Sequence, residues 1–278
     1  MRSPSSSSSR LAAIPSCLSE RRDRRGGSRL RSLILAVRFL TVLPVPGREA
    51  QGPAALGRAA WWFPVVGLAL GAGLGGFLHG LERLFPSLVA SVLLVAAWKA
   101  VTGGLHLDGL ADLLDGVAGA EPARRLAIMR DSRIGAFGAL GLVFAALLAA
   151  AAVSELAGPA RARVLLLAPL VGRTAPLLVG AWLRPATPGQ GLGAAFVAGL
   201  SRWAGLLWTI AGLLLAWAVL GPAGPLLVVA GLSGALLVAL GASRRLGGVT
   251  GDVLGAVVEI AELGVLLAGA AALRRGGL

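Results

Sequence analysis

Tyrosine is absent from the 278 residues, and cysteine occurs once, as Cys17. A single cysteine excludes an intramolecular disulfide and a multi-cysteine zinc site. Seven tryptophans and seven phenylalanines leave few stacking platforms, so the chain reads as binding no nucleic acid. Charge is scarce too. Only 14% of residues are charged, against about 25% in an average soluble domain. The hydrophobic share is 56% and the mean hydropathy +0.81. Both values argue against a soluble globular enzyme and against disorder over most of the chain. The net charge of +13 fits a polytopic membrane protein with basic cytoplasmic loops.

What is present divides into a short polar arm and long apolar runs. Residues 1–29 are rich in Ser and Arg, with seven arginines against Glu20 and Asp23. They lack the apolar run of a signal peptide and read as a disordered, basic, cytoplasmic arm. The remainder, 30–278, reads as one membrane-embedded catalytic domain. A membrane helix needs about 20 mostly apolar residues. Residues 59–81 and 134–154 carry no formal charge, and 203–243 is uncharged throughout. Gly221-Pro222-Ala223-Gly224-Pro225 divides that last run, predicting spans at 203–220 and 226–243. Less clear runs at 86–102, 164–183 and 253–273 bring the expectation to about seven. Residues 33–46 are too short to cross and predict an interfacial or re-entrant helix. The fold expected is therefore all-α and multi-pass.

The arginines orient these spans. A cytoplasmic amino terminus puts 103–133, with Arg124, Arg125, Arg130 and Arg133, on the cytoplasmic side. The same alternation puts 244–252 there, while the uncharged Gly-Pro turn falls outside. Arg161, Arg163, Arg274 and Arg275 land on the wrong face. The cell (inner) membrane is the expected location, with the active face cytoplasmic.

The acids are clustered. Asp108, Asp112 and Asp115 are spaced i, i+4, i+7, which stacks three carboxylates on one helical face. Among leucines, such groups must either protonate or meet a cation. Oxygen-only ligands suit Mg²⁺. Asp131 adds a fourth carboxylate, so Asp108, Asp112, Asp115 and Asp131 form the expected metal set. His106 is a candidate ligand or proton carrier. Arg130 and Arg133 can offset phosphate charge, and the mid-span Arg173 calls for a carboxylate or a phosphate as partner. Gly248, Thr250 and Gly251 form a loop able to present N–H groups at a helix start, followed by Asp252. The acidic cluster, the segment 130–133 and the loop 247–252 all fall on the cytoplasmic face of the topology, a combination suited to metal-assisted phosphoryl transfer on a diphosphate.

Several stretches resemble the cobalamin synthase family, the adenosylcobinamide-GDP ribazoletransferases. They are residues 38–46 (RFLTVLPVP), 63–67 (FPVVG), 102–116 (TGGLHLDGLADLLDG), 128–138 (IMRDSRIGAFG) and 247–255 (GGVTGDVLG), with the Arg173 segment. The resemblance covers about residues 30–273. It implies a membrane transferase that joins adenosylcobinamide-GDP to α-ribazole, or its 5′-phosphate, releasing GMP, with Mg²⁺ as cofactor. Catalytic roles then fall to His106, Asp108, Asp112, Asp115, Asp131 and Asp252. Substrate binding falls to Arg130, Arg133, Arg173, Gly248, Thr250 and Gly251. A CDP-alcohol phosphatidyltransferase is the alternative enzyme, since residues 112–116 (DLLDG) match the opening of its motif. The second half of that motif is missing. A cation-coupled transporter is the alternative outside enzymes, but its expected repeat of the acidic segment is not found.

Overall fold

In the computed structural model, residues 28–52 and 54–276 are described. The basic arm expected over 1–29 lies outside them, save residues 28 and 29, which already belong to helix α1 (28–40). A short stretch α2 (Ala55–Ala59) runs through a 3₁₀ turn into α3 (Phe63–Leu81). There follow α4 (Ser87–Val101), α5 (Leu105–Gly116), α6 (Pro122–Met129) and α7 (Ala136–Glu155). The chain continues through α8 (Gly158–Trp182), α9 (Gly191–Gly199), α10 (Arg202–Leu220), α11 (Gly224–Leu246) and α12 (Gly251–Arg274). No strand occurs among the described residues; residues 185 and 249 form one isolated bridge. This is what uncharged Leu, Ala and Val runs must do in a bilayer, where only a helix satisfies every backbone group internally.

Five continuous helical stretches among the described residues are long and apolar enough to cross a membrane, or six if the bent pair α4–α5 counts as one span. The expected count of about seven is not reached this way. The largest difference is 202–246, which runs as one helical stretch of 45 residues. It contains α10 and α11, and a 3₁₀ turn at Gly221–Ala223 sits where the Gly-Pro break was expected. Both helices pack on α8. A straight rod of about 67 Å could not do so along a partner of about 37 Å. The short helix expected near 33–46 is α1, somewhat earlier in the chain.

Helices α8 and α12 form the centre. α8 packs against α3, α10, α11 and α12, and α12 against α5, α7, α8 and α11. Small residues let the backbones close up. At Gly67 of α3, an added Cβ would stand 2.4 Å from the Pro169 carbonyl of α8. The misplaced charge of Arg161 also finds its reason here. It pairs with Glu82 and donates to Ser87 Oγ at 3.0 Å and to the Ser154 carbonyl at 3.1 Å. It clasps the α3–α4 turn to the end of α7, so its charge is paired within the protein.

Candidate active site

Gly103 and Gly104, at φ +63° and +66°, close α4 and turn the chain so that α5 leaves at 92°. Only glycine adopts two successive left-handed residues without steric cost. This bend lays α5 across the first turns of α12. The contact is close: a Cβ on Gly109 would lie 2.7 Å from the Asp252 carbonyl. Larger residues at 109 would push the acidic helix off α12.

Beside this crossing lies a cavity of about 510 Å³. Its polar lining is His106 and Asp108 from α5, Arg130 after α6, Arg173 from α8, and Thr250, Gly251 and Asp252 at the start of α12. The three motifs that are distant in sequence thus meet at one place. Thr250 caps α12, its hydroxyl accepting the Val253 N–H at 3.2 Å and donating to Asp252 Oδ2 at 3.3 Å. The positive end of α12 therefore opens beside the cavity. Thr187, Gln190 and residues 191–194 cover another side.

Arg173 is 1% exposed and pairs with Glu262. Its Nε and Nη2 have no hydrogen-bond partner among the described residues. Buried donors left unpaired are costly, so a cavity lined by such a guanidinium is built for an anion. His106, which lines the same cavity, also has a buried Nδ1 without a partner among the described residues.

Arg173 has the carboxylate partner that its mid-span charge called for, and behind it lies a wider network, through Lys99, that was not anticipated from sequence. Lys99 Nζ reaches Glu259 Oε2 at 2.7 Å and Glu262 Oε2 at 2.9 Å. Two buried acids are thus neutralised by Lys99 from α4 and Arg173 from α8. The available signal was Lys99 itself, the one charge in the apolar run 86–102.

The remaining expected site residues are placed differently. Asp112 is half-buried and does not line the cavity, but it lies within electrostatic reach of Asp108, Asp252 and Asp115. Asp115 is turned toward α7. Its Oδ2 accepts the Gly135 N–H at 2.7 Å and its Oδ1 the Gly138 N–H at 2.8 Å. It caps α7 from a neighbouring helix and thereby tethers the end of the 130–135 segment. Asp131 forms a forked pair with Arg133, Oδ2 to Nη2 at 2.7 Å, on an exposed loop. Hydrogen bonds from Arg133 hold the Asp131 carboxyl down to about 2, so it stays ionised throughout the neutral range. Neither residue lines the cavity. Gly248 packs against the backbone of 184–186, where Val249 N–H donates to the Arg184 carbonyl at 2.8 Å. Arg38, from the first motif, folds its own loop by donating to the Val45 carbonyl at 2.7 Å and the Gly47 carbonyl at 3.1 Å.

For a metal, no group of three or more His, Cys, Asp or Glu side chains is gathered closely enough among the described residues. Mg²⁺ rarely needs such a cage, because one or two carboxylates and substrate phosphates hold it. Asp108 and Asp252 on the cavity wall, with Asp112 next to them, are donors of that kind.

The capping role of Asp115 has a testable consequence. A Cβ at Gly138 would stand 2.4 Å from Asp115 Oδ2. Gly138→Ala is therefore expected to lower stability by about 1–2 kcal/mol, comparable with loss of a helix cap. Asp115→Asn should do the same, and the two together should cost less than their sum. Thermal loss of monodisperse protein in detergent reads this. Full additivity would show that the two positions are not coupled.

A bundle of long apolar helices around a cavity with carboxylates, a buried arginine and a helix start defines the class, a multi-pass membrane protein. The comparisons place it more narrowly. Residues 32–270 match the family model CobS, described as Cobalamin-5-phosphate synthase. The adenosylcobinamide-GDP ribazoletransferase of Brevibacillus brevis is 37% identical over 243 residues, 86% of this chain and 97% of the relative. That of Roseiflexus sp. is 41% identical over 233 residues, 82% and 85% of the two chains. That of Stutzerimonas stutzeri is 41% identical over 241 residues, 84% and 96%. No solved structure matches. The chain belongs to the cobalamin-5-phosphate synthase family, and so to the transferases of cobalamin synthesis.

Proposed function

We propose that this chain joins adenosylcobinamide-GDP to α-ribazole, or to its 5′-phosphate, releasing GMP and forming adenosylcobalamin or its phosphate. The observation that carries the reading is Arg173, a buried guanidinium with unpaired N–H groups on the wall of a cavity that also holds carboxylates. A diphosphate is the anion such a wall suits. In the reaction an α-ribazole hydroxyl oxygen attacks the phosphorus bearing cobinamide, and the bond to the GMP oxygen breaks. The hydroxyl proton passes to His106 or Asp108. Arg173, Arg130 and the N–H groups at the start of α12 offset the charge on the diphosphate. When bound, Mg²⁺ would be held by Asp108 and Asp252 and would supply charge stabilisation to the phosphoryl oxygens. The active face is the cytoplasmic face of the inner membrane, as the arginines of 124–133 and 244–245 argue.

The test is product analysis with membranes containing the protein, Mg²⁺, adenosylcobinamide-GDP and α-ribazole. GMP and adenosylcobalamin should rise together and only when both substrates are present. Excess chelator should abolish turnover, and added Mg²⁺ should restore it. GMP release without α-ribazole would point to a hydrolase and overturn the transferase reading. Full turnover in chelator would remove the metal from it.

A further inference from the structure

Neither Lys99 nor Glu259 lines the main cavity, and the chemistry above gives them no task. One buried acid would be enough to neutralise Arg173. A buried ion network contributes little net stability compared with an apolar replacement. Charges inside an apolar membrane bundle are nonetheless costly to place and mark functional positions. Stability alone therefore does not explain why α4 and α12 carry a second ion pair behind Arg173.

The way the carboxylate oxygens are shared gives a reason. Glu262 divides its two oxygens between two cations. Its Oε1 faces Arg173 Nη1, and its Oε2 accepts from Lys99 Nζ at 2.9 Å. Glu259 gives both of its oxygens to the same Lys99 Nζ, at 2.9 and 2.7 Å. Glu259 thus supplies the countercharge of Lys99, and Lys99 holds Glu262 as a hydrogen-bond donor. The Glu262 side chain also lies directly on the backbone of α8, since a Cβ at Gly172 would stand 2.7 Å from its Cγ. A guanidinium beside an unoccupied carboxylate closes into a forked pair with two parallel hydrogen bonds. Lys99 occupies the oxygen that this fork would need. Arg173 is therefore engaged through Nη1, while its Nε and Nη2 have no partner among the described residues.

We propose that Lys99 is a positioning residue for the diphosphate: by holding Glu262 Oε2 it prevents Arg173 from closing onto Glu262 and keeps two guanidinium nitrogens available to the anion in the cavity. Lys99 touches no substrate and acts only through Glu262 and Arg173. This rests on the transferase reading and adds to it what keeps the phosphate-binding arginine from being captured by its own counter-ion.

The test is steady-state GMP release by the full-length protein in detergent, with adenosylcobinamide-GDP and α-ribazole varied in turn. α-Ribazole carries no phosphate and is the internal control. Lys99→Met alone leaves a buried acid uncompensated, so the informative variant is Lys99→Met with Glu259→Gln, which keeps the charges balanced but frees Glu262 Oε2. It should raise the KM for adenosylcobinamide-GDP by about tenfold, the scale of a lost charge-assisted hydrogen bond, and leave the KM for α-ribazole unchanged. Glu259→Gln alone keeps Lys99 on Glu262 and should not raise the KM for adenosylcobinamide-GDP. Lys99→Arg keeps a donor for Oε2, and a cavity of about 30 Å³ bordered by residues 99, 259 and 262 gives the larger side chain room. Its KM for adenosylcobinamide-GDP should stay near that of wild type. A monodisperse double variant with the wild-type KM for adenosylcobinamide-GDP would overturn the proposal, because the network would then be structural only. So would equal rises for both substrates, or a rise in Glu259→Gln as large as in the double variant. These results leave the transferase reading standing as long as wild type releases GMP; a wild type that releases none would remove that reading and this role with it.

Discussion

Asp108→Asn is expected to lower turnover by on the order of 10²-fold or more, with fold and membrane insertion retained. Asp108 lines the cavity beside His106 and is exposed to it, so its charge is available to a cation or to a proton. Asparagine keeps the shape and removes the charge. Charge stabilisation by a metal is worth several kcal/mol, and each 1.36 kcal/mol is tenfold in rate. Asp112→Asn should cost clearly less, because Asp112 acts on the cavity only through space. The measurement is GMP release by purified protein at saturating Mg²⁺, with monodispersity as the folding control. Equal losses at the two positions would show that the metal sits between them. A well-folded Asp108→Asn protein with near-normal turnover would remove Asp108 from the chemistry.

Lys99→Met is expected to be the most destabilising single change away from the cavity. It would leave Glu259 buried with no cation at hydrogen-bond distance and Glu262 with Arg173 alone. Breaking a buried pair by removing one partner costs about 3–5 kcal/mol, because an uncompensated charge stays inside. Adding Glu259→Gln removes that charge while leaving the Glu262–Arg173 pair in place. The double variant should therefore be more stable than Lys99→Met alone, the sign of direct coupling. The temperature at which monodisperse detergent-solubilised protein is lost reads both effects. A Lys99→Met protein as stable as wild type would mean that the two acids take up protons rather than depend on Lys99.

Much of the candidate site's lining can be read in the primary structure, because its signals are local. His106 and Asp108 stand in one helical turn. The arginine segment after α6 and the start of α12 are each recognisable from a few adjacent residues, and Arg173 is a lone charge in an apolar helix. All five of these places line the cavity. The roles of Asp115 and Asp131 were less legible. A spacing of i, i+4, i+7 states that three carboxylates share a face, but that face is wide enough for its last member to turn toward a different neighbour. Asp115 meets two N–H groups at the start of α7, those of Gly135 and Gly138, while Asp131 meets Arg133 two residues away. Lys99 and Glu259 are 160 residues apart, and nothing local to either announces the other.

Sequence by itself determined the all-helical class, the apolar runs, the break at 221–225 and the helical face of acids. These depend on residue hydropathy and a fixed helical repeat, properties of neighbours along the chain. Only the tertiary structure decided which groups face one another. The 92° turn after Gly103 and Gly104 brings α5 onto α12, and the close approach at Gly109 lets Asp108 and Asp252 share one cavity. The same packing lets Arg173 both pair with Glu262 and line that cavity, and brings three phenylalanines from three helices to its lining. The physical reason is that the partner of a side chain is set by how helices cross. Those crossings follow from where small residues let two backbones meet, far apart in sequence.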